Sequence, residues 1–223
     1  MATFKTIVDR ISTSIKSTTK DDRVPKRYIL NVFQSKLEYL LTQKLKDKSL
    51  FREDGLYTLV ECLELKNIDT YSCDIVEFKS CNSLMKSKKK LPKIINSRFG
   101  AAIKSVTNVD YTINYTPTTP NAYRNSKLRE EKIDRQTYYL QNGYPILPDS
   151  NTERINLEIL TLEPYLISQV SECNSDKCKS YWDYEVPTSD KLTEIAIQET
   201  LKELLVGKQI PEDANPNLNP NEK

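Results

Sequence analysis

A chain of 223 residues, 38% hydrophobic and 29% charged with a formal net charge of +2, is long enough to bury a substantial core in one elaborate domain or two small ones. It contains no histidine, which removes Ser-His-Asp and Cys-His pairs, His-liganded metals and the side chain best suited to proton transfer near neutrality. Its four glycines, Gly55, Gly100, Gly143 and Gly207, stand too far apart for either common phosphate cradle, and no apolar run approaches the roughly 20 residues of a bilayer span.

The expectation is therefore a non-enzyme with no cofactor and no membrane partner. The opening residues lack the apolar block of a secretory signal, so synthesis and use in a cytoplasm are expected. With 11 prolines, the folded body should carry a fair amount of irregular or extended chain.

The segment "TFKTIVDRISTSIKS" spaces Phe4, Ile7, Val8, Ile11 and Ile15 on one face of an amphipathic helix. After the polar break "STTKDD", Pro25 opens a second, longer helix whose stripe is Ile29, Phe33, Leu37, Leu40, Leu41 and Leu45. From residue 56 the period changes. "LYTLVECLELK" places Tyr57, Leu59, Leu63 and Leu65 at alternate positions and reads as a strand, with a short helix as the rival.

"AAIKSVTNVDYTINYTP" reads as two strands joined by a tight turn at Asn108 and Asp110. In "TYYLQNGYPILPDS", Asn142-Gly143 supplies the two positive-φ residues of a type I′ turn, predicting a hairpin of Tyr138 to Leu140 with Tyr144 to Leu147. Pro145 cannot donate to a ladder, which puts its arm at an edge or turns the missing N–H outward. A further strand alternates Ile155, Leu157 and Ile159 with Asn156, Glu158 and Leu160.

The last helix is predicted in "PTSDKLTEIAIQETLKELLVGK". Thr188 or Ser189 is its N-cap, Leu192, Ile195, Leu201, Leu204 and Leu205 its stripe, and Gly207 its C-cap. "KQIPEDANPNLNPNEK" has too few apolar residues to order itself and reads as an extended tail. No internal repeat is visible. The expected fold class is α+β: N-terminal and C-terminal helices packed with a central antiparallel β domain. The expected organisation is a helical region over 1–50, a β-rich domain with a basic loop over 51–165, a linker and helix over 166–207 and the tail over 208–223.

Two groups of residues stand out chemically. Between Phe78 and Val109 there are eight lysines and arginines and no acid, and "SLMKSKKKLPKII" holds Lys86, Lys88, Lys89, Lys90 and Lys93, with Arg98 close behind. Such a segment makes a local positive field. It serves as a solvated loop, as a contact for an acidic patch on a partner protein, or as a nonspecific contact for DNA, whose binding to one loop salt would screen. No helix-turn-helix or zinc finger accompanies it, so base reading is not indicated.

The five cysteines, 62, 73, 81, 173 and 178, are odd in number and scattered, and they read as reduced thiols. Four thiolates can hold zinc, but the C-x2-C knuckle is absent and no metal is expected. Glu153, Glu158 and Glu163 lie too evenly over both faces of a strand to suggest paired carboxylate catalysis.

The ordered combination "VECLELKNID", "MKSKKKLPKIINSRFGAAIKSVTNVD", "INYTPTTPNAYRN", "YYLQNGYPILPDS" and "INLEILTLEPY" resembles virion proteins of crAss-like bacteriophages, specifically their head–tail connector proteins, the adaptor or ring proteins beneath the portal. The resemblance covers roughly residues 56 to 165. It implies a homo-oligomeric ring of about twelve copies, with the portal and other connector or tail proteins as partners and possible contact with packaged DNA. It implies location in the virion after synthesis in the host cytoplasm. The basic loop then faces an acidic neighbouring ring or the genome, and Ile210, Pro211, Pro216, Leu218 and Pro220 in the tail lie along an adjacent subunit. A tail hub or fibre-attachment protein, and a monomeric nonspecific DNA-binding protein, are the alternatives.

Overall fold

The computed structural model describes residues 2–18, 24–46, 56–68, 84–97, 100–127, 136–171 and 179–209. Arg98, the tail from residue 210 onward and four of the cysteines lie outside them. Five helices are described: α1 (Phe4–Thr18), α2 (Lys26–Lys44), α3 (Pro120–Lys127), α4 (Pro164–Val170) and α5 (Asp190–Gln209). The strands are β1 (Thr58–Asn67), β2 (Leu84–Ser87), β3 (Asn96–Ser97), β4 (Gly100–Ala101), β5 (Ile103–Asn108), β6 (Thr116–Pro117), β7 (Thr137–Gln141), β8 (Tyr144–Pro148) and β9 (Arg154–Ile159). The fold is α+β.

α1, α2 and α5 pack together as a helical layer. The stripe of α1 is fully buried, and α2 buries Ile29, Phe33, Leu37 and Leu41, with Leu45 beneath its C-terminus, each apolar side chain contributing about 1.5–3 kcal/mol. Pro25 sits just before α2 as its N-cap, where its missing N–H costs nothing. Backbone pairing of Phe4 N to Tyr184 O (3.1 Å) and Val186 N to Ala2 O (3.0 Å) fastens α1 to the segment that enters α5.

α5 departs from its expected stripe. Leu192, Ala196, Ile197 and Leu204 are buried together with Thr193 and Thr200, while Ile195, Leu201 and Leu205 are half-buried. Small residues face the neighbouring helices because they allow close approach, and Thr200 satisfies its hydroxyl on Ala196 O at 2.7 Å. Ser189 O accepts the Thr193 amide at 3.0 Å, in keeping with its place at the N-terminus. Gly207 is not a C-cap, since the helix runs through it to Gln209.

The seven-stranded sheet has the order β5-β9-β1-β2-β8-β7-β6, antiparallel except for the β6–β7 pair. After β5 the chain turns at 109–110 as expected, but the returning arm pairs with β5 only briefly, through the Thr107–Asn114 bridge and Tyr115 N to Val106 O at 2.8 Å. It then crosses to β7, where Thr116 pairs with Thr137 and Pro117 with Tyr138. The two ends of the sheet are thereby joined into a nearly closed barrel. Its interior holds Val60, Leu63, Val106, Leu147, Ile155 and Leu157, and Ile167 and Val170 of α4 join the same core.

β1 is a strand with an interruption the alternation did not foresee. Val60 is buried, the register slips, and burial resumes at Leu63 and Leu65, so Leu59 is displaced from the interior. Cys62 sits in the slip with φ of 52°, a β-bulge in which one residue is left without a ladder partner. Asn156 of β9, itself 5% exposed, accepts the Cys62 amide on Oδ1 at 3.0 Å. Cys62 is disulfide-bonded, which corrects the reading of five reduced thiols.

The hairpin forms as its turn dictates, with Asn142 at φ 54° and Gly143 at φ 82°. Pro145 does not mark an edge, because β8 lies between β2 and β7. It is tolerated there because it faces Leu140 in a pair one step beyond the Gln141–Tyr144 pair, and the β2 ladder ends at Lys86–Ile146 before reaching it.

Candidate functional site

The basic segment is a rigid connection, not a loose loop. Leu91 and Pro92 are buried, and Ser87, fully buried, donates its hydroxyl to Lys89 O at 2.8 Å. Lys88 N bonds Glu64 O and Leu91 N bonds Gly143 O, both at 2.9 Å. Thr161 Oγ1 donates to Lys93 O at 2.9 Å. The segment therefore rests on the Asn142-Gly143 turn on one side and on β1 and residue 161 on the others. A Cβ at Gly143 would lie 2.8 Å from Lys90 Cε, so only glycine lets that lysine cross the turn undisturbed.

Each described lysine of the cluster has a defined setting. Lys86 Nζ lies 4.3 Å above the centre of the Tyr144 ring, a cation–π arrangement. Lys88 Nζ is 2.5 Å from Glu64, which Arg154 also approaches at 3.4 Å. The hydrogen bond from Lys88 is the main reason the Glu64 carboxyl is held below its ordinary range, with Arg154 adding to it. Lys89 donates to Gln169 O at 2.8 Å, and Lys93 pairs with Glu38 at 2.7 Å. Lys104, further along β5, lies 3.4 Å from Glu158.

Among the described residues, six cations, the five lysines and Arg154, stand with the carboxylates Glu38 and Glu64 that pair with them and with Glu163 in the groove beside Lys93. The patch stays net positive. Its ion pairs are exposed, with Lys88 at 52% and Lys93 at 68%, and such pairs exchange readily for a partner's acids. The sequence located the lysines but not Glu38, Glu64 and Tyr144, which only the packing of α2, β1 and β8 brings to them.

Three shallow grooves are described. One of 220 Å³ is bordered by Gln34, Glu38, Lys93 and Leu162. One of 140 Å³ lies beside the Arg10–Glu194 ion pair. The third, of 300 Å³, lies between α1 and the turn at 180–183. No group of three or more acids and cysteines able to hold a metal occurs among the described residues, and none of their helices is long and apolar enough to cross a membrane. Glu158 faces Lys104 across the sheet, and its setting is that of a surface ion pair.

Sequence reasoning passed over a second surface. The large apolar side chains left exposed among the described residues are Tyr28, Tyr39, Val109, Tyr111 and Ile113, and the last three crowd into five consecutive positions. The signal was available in "NVDYTIN", where a turn carries three bulky apolar residues instead of polar ones.

A rigid basic patch, an exposed apolar turn and shallow grooves are features of a docking protein, and one comparison decides the kind. Residues 6–223 match the family of phage tail ring protein 2 of crAss-like phages. The chain belongs to that family. This ring protein is accordingly a virion component of a bacteriophage tail, and the match covers the helical layer and the barrel alike. No curated protein matches the chain.

Proposed function

We propose that this tail ring protein forms a homo-oligomeric ring of the head–tail connector, docks on the portal and joins head to tail around the genome channel. Its action is passive and geometric. Copies arranged about an axis repeat each weak contact, and the sum gives a tight collar without covalent chemistry. The observation that carries this reading is the family match across nearly the whole chain, supported by surface features suited to docking. No catalytic role is assigned to any residue.

In this reading the Lys86 to Lys93 patch faces the acidic surface of a neighbouring ring or the genome in the lumen. Held on a fixed frame, the lysines lose little freedom on binding, so repeated around a ring they add their fields without reading bases. The tail, with Ile210, Pro211, Pro216, Leu218 and Pro220, lies along an adjacent subunit. Replacing Lys86, Lys88, Lys89 and Lys90 together with glutamate is expected to impair particle assembly or genome retention, counted as full particles by electron microscopy. Normal yields of full particles would refute the role of the patch.

A further inference from the structure

The end of α4 and the bulge of β1 meet closely. Ser171, which caps α4 and is 1% exposed, donates its hydroxyl to Glu61 O at 2.8 Å. With ordinary bond lengths this contact brings the Cα atoms of Ser171 and Cys62 within about 8 Å of each other. Ile167 and Val170 hold α4 against the barrel core, and the Ser171 amide closes the last turn on Ile167 O at 2.8 Å.

Cys62 occupies the bulge with its amide held by Asn156, is 8% exposed and is disulfide-bonded. The other cysteines of the chain are Cys73, Cys81, Cys173 and Cys178. A disulfide needs Cα atoms about 4.4–6.8 Å apart, so reach decides among the four.

Cys173 follows Ser171 by two residues, a span of at most about 7 Å, and has only to turn back toward the bulge. The other three start farther off. Just past β1, Ile68 N bonds Leu84 O at 2.9 Å, about 18 Å from Cys62 by the rise of a strand. From there Cys73 and Cys81 would have to run back along the sheet as almost fully stretched chain. Cys178 precedes Lys179, whose Nζ lies 5.2 Å from the centre of the Tyr184 ring, and Ser180 borders α1 in the 300 Å³ groove. That end of the connection belongs to the helical layer.

We infer that Cys62 is bonded to Cys173, forming a redox-responsive clasp that fastens the exit of α4 to the bulge of β1. The clasp stays open where thiols are kept reduced and closes where they are not. With a low-molecular-weight disulfide as oxidant, closure takes two exchanges. The Cys173 thiolate attacks one sulfur of the reagent and expels a thiolate, and the Cys62 thiolate then attacks the Cys173 sulfur and expels the second. Two protein thiols become one disulfide, the reagent is reduced to two thiols, and the protons given up by the cysteines pass to the leaving thiolates. Once formed, the bond is shielded from outside thiols by the burial of Cys62. It closes a long loop and so restricts the unfolded chain.

The test uses the full chain, purified reduced and then exposed to oxidised glutathione, with remaining thiols blocked and peptides mapped by mass spectrometry without reduction. The Cys62 peptide is expected joined to the Cys173 peptide, and the oxidised chain should melt about 5–10 °C above the reduced one. Cys62→Ser and Cys173→Ser should each abolish that difference, whereas Cys178→Ser should leave it in place. Each comparison is made within one variant, so a loss of stability from the substitution itself does not enter the reading. Cys62 recovered as a blocked thiol after oxidation, or joined to Cys73, Cys81, Cys178 or another copy, would overturn the clasp, as would equal melting of the oxidised and reduced wild type. None of these results depends on whether the copies assemble into a ring.

Discussion

In α1 the five buried side chains Phe4, Ile7, Val8, Ile11 and Ile15 follow one another at helical spacing, whereas in the barrel the Cys62 amide is answered by Asn156, 94 residues further on. The helical layer takes its order from local periodicity. The barrel takes its order from pairings that no short window contains, together with buried polar groups that satisfy backbone atoms left over by a bulge. The two are nevertheless joined, because Leu56, Ile95, Ala102 and Leu160 from the strand connections belong to the same core as α1, α2 and α5.

That shared core makes cooperativity the first way to break the comparison. Phe33→Ala, which empties a fully buried site in the helical layer, should cost about 3–5 kcal/mol and lower one single thermal transition of the whole chain. Two separated transitions in calorimetry would show that the layers are independent. Asn156→Ala strikes the barrel alone. It leaves the Cys62 N–H buried without its acceptor and should cost about 1–3 kcal/mol in urea unfolding, with the helical signal retained until the same midpoint.

A smaller effect has the opposite sign. The Tyr57 hydroxyl is buried at the junction of the two layers without a hydrogen bond among the described residues, and burial pushes its phenol up. Tyr57→Phe removes that unsatisfied group and should stabilise by about 1 kcal/mol, seen as a raised thermal midpoint.

The smallest effect at neutral pH is the alkaline limit. Burial pushes Tyr138 in the barrel and Tyr181 against the helical layer up to about 12. Unfolded phenols titrate near 10, so the folded state holds these protons longer. Their contribution is complete below about pH 10 and is lost as pH rises through 12. Phenolate absorbance should therefore lag furthest for Tyr138 and Tyr181, behind the other raised phenols Tyr57, Tyr139 and Tyr165, and Tyr138→Phe and Tyr181→Phe should each remove one of the latest titrations.

How much was legible follows from the same contrast. Both N-terminal helices, the Asn142-Gly143 hairpin and the Ile155, Leu157, Ile159 strand are local patterns, and each formed where its residues put it. The stripe of α5 was misjudged because Leu at 201 and 205 outweighed Ala196 and Thr200 in a hydrophobic count, although close packing between helices favours the small residues. Leu59 was misplaced because a bulge shifts alternation by one and leaves no mark in composition. Of the two readings open for Pro145, the edge position failed and the missing N–H turned away from the ladder held, since its tolerance depends on where the partner ladder stops.

At the surface the lysines were plain in the sequence, but their partners Glu38, Glu64 and Tyr144 come from α2, β1 and β8. The apolar turn at 109–113 was quoted and read only as a connection. Exposure is a tertiary property, and a hydrophobic residue in a turn does not declare whether it packs inward or waits for a neighbour.

Electron microscopy of the purified full chain, alone and mixed with its portal, tests most directly whether this protein works by symmetric assembly. Closed rings, or a collar stacked on the portal, are the predicted result. Dispersed monomers under both conditions would contradict it.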